Sequence, residues 1–196
     1  MHLRAYYTEL DPTAEQRRAL AQHVAGARTA YNFTWAESRI AKSSVTAREG
    51  SAAMAMASLR SERSAHVVGF CGAMVPLALS ERQRLDDVVR IIEQTTASRT
   101  NCAQPMLYAL ENKLEVDCFS IYTDNETRFG SVHPFQALKM YREHTGIPAK
   151  LVVAGMTSTS FTIADPSDAG MLDVVGFDAA APAVIADFAA DREVLQ

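Results

Sequence analysis

The sequence predicts an α/β domain on a doubly wound, mostly parallel sheet, preceded by a strand and a helical pair. Three observations carry this. Near-continuous apolar runs such as "AKLVVAGM" (149–156) alternate with amphipathic runs such as "RLDDVVRIIEQ" (84–94). Strands apolar on both faces belong to parallel sheets with helices on each side. The pattern also changes at the polar linker "KSSVT" (42–46), which separates a segment at 1–45 from a domain at 46–196.

In the first segment "HLRAYYTEL" reads as a short strand. "DPTAEQ" opens a helix, with Asp11 at the N-cap, Pro12 in the first helical position and Glu15 in the first turn. "ARTAYNFTWAESRIA" suggests a second helix, with Tyr31 and Trp35 on one side. Beyond the linker, "SAAMAMASLRS" (51–61) reads as a small-residue helix able to lie close on a sheet. "AHVVGF" (65–70) is a strand, and "AMVPLAL" (73–79) an edge strand, because Pro76 is poorly tolerated elsewhere. Helices follow at 84–94 and 102–112, a strand at 116–123, a helix at 134–144 and a strand at 149–156. A short strand at 172–177 and a helix at 181–191 close the pattern.

The chain has 196 residues and 48% apolar composition, enough for a sizeable core. No apolar run reaches the roughly 18 residues of a membrane span. Three cysteines without CxxC spacing point to a reducing, cytoplasmic setting and away from a disulfide scaffold or zinc site. The net charge of −4 divides into +2 for residues 1–45 and −6 for the rest. An acidic body is a poor partner for phosphates, so nucleic-acid contact is expected, if anywhere, at the N-terminal segment.

Ligands of such sheets sit beyond the carboxyl ends of the strands. Asp124 follows the strand at 116–123, and Thr100 lies in the polar loop "ASRTN". Each reads either as a helix cap or as an oxygen ligand for a hard cation such as magnesium, which takes about six oxygens. His66 and His133 have no serine or cysteine at nucleophile spacing and read as structural. The loop "TSTSFTIADPSDAGM" (157–171) reads as a ligand-face loop or a well-capped turn. Cys71 and Cys118 read as small core residues. There is no glycine-rich phosphate loop, paired-carboxylate signature or nucleophile elbow, so no enzyme is expected.

The stretches "MVPLAL", "TNCAQPM", "IYTDNETRFGSVHPFQALKMYRE" and "IPAKLVVAGMTSTSFTIADPSDAGMLDVVGFD" resemble the C-terminal von Willebrand factor A domain of the Ro autoantigen, or TROVE, family. The resemblance covers about residues 46–196. It implies a von Willebrand A-type doubly wound sheet with a metal-ion-dependent adhesion site, in which Thr100 and Asp124 match the family's threonine and aspartate. The family's D-x-S-x-S strand and loop, expected before "TAREGSAAMAM", are missing, as is the ring of helical repeats that binds RNA. Residues 1–41 resemble the N-terminal segment of OrfB-type transposon-encoded RNA-guided nucleases, through P-T-x-E-Q and A-R-x-x-Y-N. That resemblance implies a helix-turn-helix gripping RNA and a mobile element or phage as source; the nuclease's catalytic carboxylates do not follow.

A parallel sheet does not simply omit its central strand. Residues 3–9 are one candidate filler, with Asp11 and Thr13 then standing in as metal ligands. A strand from another chain is a second, and a rearranged sheet a third. Arg4 and Glu9 are unusual for a strand buried on both faces. The expected function is a non-catalytic binding or assembly module, in a ribonucleoprotein or protein–protein complex, with a protein partner or self-association and Mg2+ as its only candidate cofactor. The alternative is RNA or DNA binding, with a small RNA as partner, by Arg17, Arg18, Arg28 and Arg39 on the helical pair.

Overall fold

The structure, a computed structural model, describes residues 45–62, 64–70, 73–94, 100–123, 130–155, 163–175 and 180–190. Helices α1 (Ala47–Ser61), α2 (Leu85–Glu93), α3 (Gln104–Glu111), α4 (Pro134–Thr145) and α5 (Ala181–Ala190) surround strands β1 (Val68–Phe70), β2 (Met74–Pro76), β3 (Cys118–Thr123), β4 (Lys150–Gly155) and β5 (Met171–Val175). The α/β class and the element order predicted over these residues hold. The strand and helical pair expected in residues 1–41 lie outside them.

Helix α1 starts four residues earlier than its apolar pattern suggests. A capping box sets that start: the Thr46 hydroxyl accepts from the Glu49 N–H, and the Glu49 carboxylate accepts from the Thr46 N–H. Its buried face is built of Ala47, Gly50, Ser51, Ala52 and Ala55, with Met54 and Met56. Helix α4 carries Pro134 in its first turn and ends at Gly146, whose φ of 72° takes the left-handed conformation of a helix stop.

Strands β3, β4 and β5 form a parallel sheet in that order, with Cys118 opposite Lys150 and Leu151 opposite Met171. Every residue of β3 and β4 is buried. Alternation sends Cys118, Tyr122, Val152 and Ala154 to one face, where they pack with α1, α2 and α5. Phe119, Ile121, Leu151 and Val153 point the other way, against α3 and α4. Strands β1 and β2 form a separate antiparallel pair, with Pro76 exposed as expected for an edge. This pair feeds both cores: Phe70 packs with Phe119, while Val67 and Leu77 pack with Cys118 and Tyr122.

Polar groups pin the layers together. The Tyr141 hydroxyl accepts from the Val116 N–H at 2.8 Å and donates to the Leu114 carbonyl at 2.7 Å, fixing the approach to β3. Arg142 donates to the carbonyl of Ala149 and to the carboxylate of Asp168, clamping the end of α4 to the chain entering β5. Lys150 is 4% exposed; its ammonium donates to the Phe188 carbonyl and lies 4.8 Å from that ring's centre.

Candidate functional site

The carboxyl ends of β3 and β4 are where such a sheet places a ligand. Thr123, 2% exposed, ends β3 there. The loop entering α3 packs into the same core as β3 through Cys102 and Ala103. Asn101 is 5% exposed, and its side-chain oxygen accepts from the Ala103 N–H at 3.1 Å. Its backbone carbonyl accepts from the Gln104 N–H. Asn101 thus closes an Asx turn just ahead of α3, whose N-cap is Ala103, and Pro105 follows where a missing N–H costs nothing. Thr100 is not a helix cap. It is half-buried at the mouth of this loop, three residues ahead of Ala103, the N-cap of α3.

Gly130 fixes the other side. Its φ is +116°, and a methyl group there would sit 2.8 Å from the Asn101 side-chain amide. The chain returning from β3 therefore lies directly on the Asn101 side chain, with only a hydrogen between. Beyond it, His133 caps α4, with its N–H donating to the Gln136 side chain. The His133 ring packs tilted on Phe135 with centroids 4.6 Å apart, and its Nδ1 is buried without a hydrogen-bond partner. Burial lowers its pKa, so the ring favours the neutral form. Sequence reasoning passed over Asn101 and Gly130; the signal available was the pairing of a polar loop with Pro105.

Of the residues expected to hold magnesium, the described structure places Thr100 alone. Asp124, Asp11 and Thr13 lie outside the described residues, as do Arg17, Arg18, Arg28 and Arg39. One hydroxyl falls well short of the roughly six oxygens a magnesium ion takes. Among the described residues no group of three His, Cys, Asp or Glu could hold a metal. A complete ion site therefore depends on Asp124 and the N-terminal residues.

The acidic loop after β4 resolves, from residue 163 onward, into a capped turn. Asp165 accepts from the N–H and hydroxyl of Ser167, which hold its carboxyl below the usual range. Asp168 accepts from the Gly170 N–H and from Arg142. Cys118 and Cys102 are buried free thiols, and burial pushes Cys118 up to about 12, so it is inert at neutral pH. No helix among the described residues is long and apolar enough to cross a membrane.

Comparison with known proteins agrees with the fold. The family described as the Ro60 vWA domain matches residues 33–189, and a family described as a helix-turn-helix domain matches residues 1–40. The RNA-binding protein RO60 of Caenorhabditis elegans is 39% identical over 178 residues, 90% of this chain and 26% of that protein. The RNA-binding protein RO60 of Deinococcus radiodurans is 45% identical over 145 residues, 74% of this chain and 27% of that one. The chain thus spans about a quarter of the curated relatives it matches. The crystal structure of the D. radiodurans Ro protein superposes with a TM-score of 0.77 at 39% identity, covering 86% of this chain and 34% of that one. Proximal thread matrix protein 1 of the mussel byssus shares the fold, with a TM-score of 0.53 at 16% identity over 86% of this chain and 46% of its own.

Proposed function

Because the chain belongs to the Ro60 vWA domain family, we propose that it is a non-catalytic binding and assembly module, working in a ribonucleoprotein or protein–protein complex of the cytoplasm. The observation that carries this reading is the braced end of the sheet. Asn101, held between its bond to the Ala103 N–H and Gly130, keeps the Thr100 loop in one position at the entry to α3. A rigid polar rim of this kind suits capture of a partner's carboxylate or phosphate, directly or through a cation.

The cation in this reading is magnesium, held by Thr100 and Asp124 with Asp11 and Thr13 as further ligands. It would supply a charge for an acidic partner group. The test is thermal unfolding with and without millimolar magnesium, in the wild type and in Asp124→Ala. A ligand bound to the folded state alone raises stability by RT ln(1 + [L]/Kd). A magnesium-dependent rise in Tm that Asp124→Ala abolishes is the expected result. No rise in either protein would remove the ion from the proposal and leave Asp124 as a helix cap.

A second reading has its own support. The helix-turn-helix family matches residues 1–40, which contain Arg17, Arg18, Arg28 and Arg39. The relatives are named RNA-binding proteins. If these arginines grip a small RNA, binding weakens steeply with salt, each neutralised phosphate adding roughly 0.7 to the log–log slope for single strands. Replacing all four by glutamine would then flatten that slope. RNA affinity insensitive to salt, or absent, leaves the assembly module as the function.

A further inference from the structure

Where β3 and β4 begin, at the end of the sheet opposite Thr100, an open cavity of about 920 Å³ lies between the last turns of α3 and α4. Its rim carries Lys113, Glu115 and Asp117 from the chain joining α3 to β3, and His144 from the end of α4. A second cavity of about 250 Å³ adjoins it, because Ser64 and Leu114 line both. This inner chamber is mostly apolar, walled by Val68, Met74, Pro105, Tyr108, Ala109 and Phe119. An apolar chamber with a few polar groups gathered at its mouth is the usual build of a small-molecule site.

Two features of the rim stand out. Lys113 has a φ of 53°, and it is the only non-glycine residue with positive φ among the described residues. It stands just past the end of α3, where its N–H donates to the Leu110 carbonyl and the N–H of Leu114 donates to the Ala109 carbonyl. Glycine is the residue that such a helix stop favours, and lysine is strained there. Lys113 is exposed, so burial of its side chain does not account for the choice. Strain of this kind gathers at ligand clamps. The second feature is charge. Lys113 and Glu115 stand two positions apart on one rim, and neither enters the ion pairs formed among the described residues.

We propose that the two cavities form one binding site for a free α-amino acid with an aromatic side chain. The ligand's carboxylate takes the Lys113 ammonium, and its ammonium takes the carboxylates of Glu115 and Asp117. Its ring enters the chamber that Tyr108, Phe119 and Met74 help to wall, where rings and a thioether make favourable contacts. A ligand of one sign meets a like charge on this rim: an amine meets Lys113, and a carboxylate meets Glu115 and Asp117. A zwitterion on an apolar body answers both signs and the chamber together. The site lies at the other end of the sheet from Thr100 and needs no magnesium, so it stands apart from the assembly reading.

Calorimetric titration of the full chain decides it, in a metal chelator so that no cation near Thr100 enters the readout. The probes are L-phenylalanine and L-tryptophan, with glycine, phenethylamine and 3-phenylpropionate as matched controls. At least one of the two aromatic amino acids should bind saturably. Each control lacks the ring or one charged group, and should bind about tenfold or more weakly. Saturable binding of neither amino acid overturns the proposal, as does a control that binds as tightly. Lys113→Gly is the second arm. Glycine meets no penalty at a φ of 53°, so this variant should fold with a Tm equal to or above that of the wild type. It should lose about tenfold in affinity for the amino acid. Unchanged affinity overturns the clamp. A lowered Tm also overturns it, because the lysine would then serve the end of α3 rather than a ligand.

Discussion

Gly130→Ala is the sharpest perturbation of the braced sheet end. Two costs add. A non-glycine residue at φ +116° is strained by about 1–3 kcal/mol. The new methyl group would also stand 2.8 Å from the Asn101 amide, and Asn101, itself buried, has nowhere to retreat without releasing the Ala103 N–H. Losing that hydrogen bond costs about 1 kcal/mol. The sum is about 2–4 kcal/mol, a fall in Tm of roughly 6–12 °C. The assay is thermal unfolding followed by circular dichroism. Asn101→Ala alone loses the bond to the Ala103 N–H and drops by about 1 kcal/mol. In the double variant the clash has no target, so the loss is smaller than the sum of the singles. Strict additivity, or a Gly130→Ala protein as stable as the wild type, would refute the contact as the brace.

Tyr141→Phe leaves the Val116 N–H and the Leu114 carbonyl without their partner and should cost about 1–3 kcal/mol in chemical denaturation. Asp173 is held up at about 6 by burial of its carboxyl, although the residue keeps much surface in solvent. Its folded pKa is raised above the ordinary 3.8 of an aspartate, so its contribution is present below 3.8 and lost as pH rises through about 6. Asp173→Asn should therefore raise Tm at pH 7.5 and leave it unchanged near pH 3.5. Glu49 is shifted the other way by its bonds to Thr46, so its contribution is present above 4.5 and lost as pH falls further. Thr46→Ala should lower Tm at pH 7, with the gap to wild type narrowing below pH 4.

Periodicity made the sheet and helices legible because each element is covered on a regular face. The two-sided apolar runs of β3 and β4 announced a parallel sheet, and Pro76 announced an edge. Boundaries were less visible where a cap outweighs periodicity. The start of α1 was written in "TARE", a Thr-x-x-Glu box, but the apolar pattern begins only with the alanines that follow. The site was legible in part. The hydroxyl of Thr100 stands out in the sequence, while its neighbour Asn101 makes the turn that leads into α3. The contact between Asn101 and Gly130 joins segments 29 positions apart and depends on a backbone angle, which no pattern of residue types encodes. The ligand set around Asp124 lies outside the described residues.

Lys150 gives the fold a way to test its own completeness. The ammonium is buried at the start of β4 and meets a carbonyl and a ring supplied by Phe188, thirty-eight residues later and near the end of α5. A chain that stops short of Phe188 takes both contacts away from that buried charge, and a charge held in a core is costly in proportion to the partners it loses. Truncated products of interrupted synthesis or proteolysis would be left open for degradation. Chains carrying the whole of α5 close over the lysine, so the last turn of the last helix acts as the seal on the sheet.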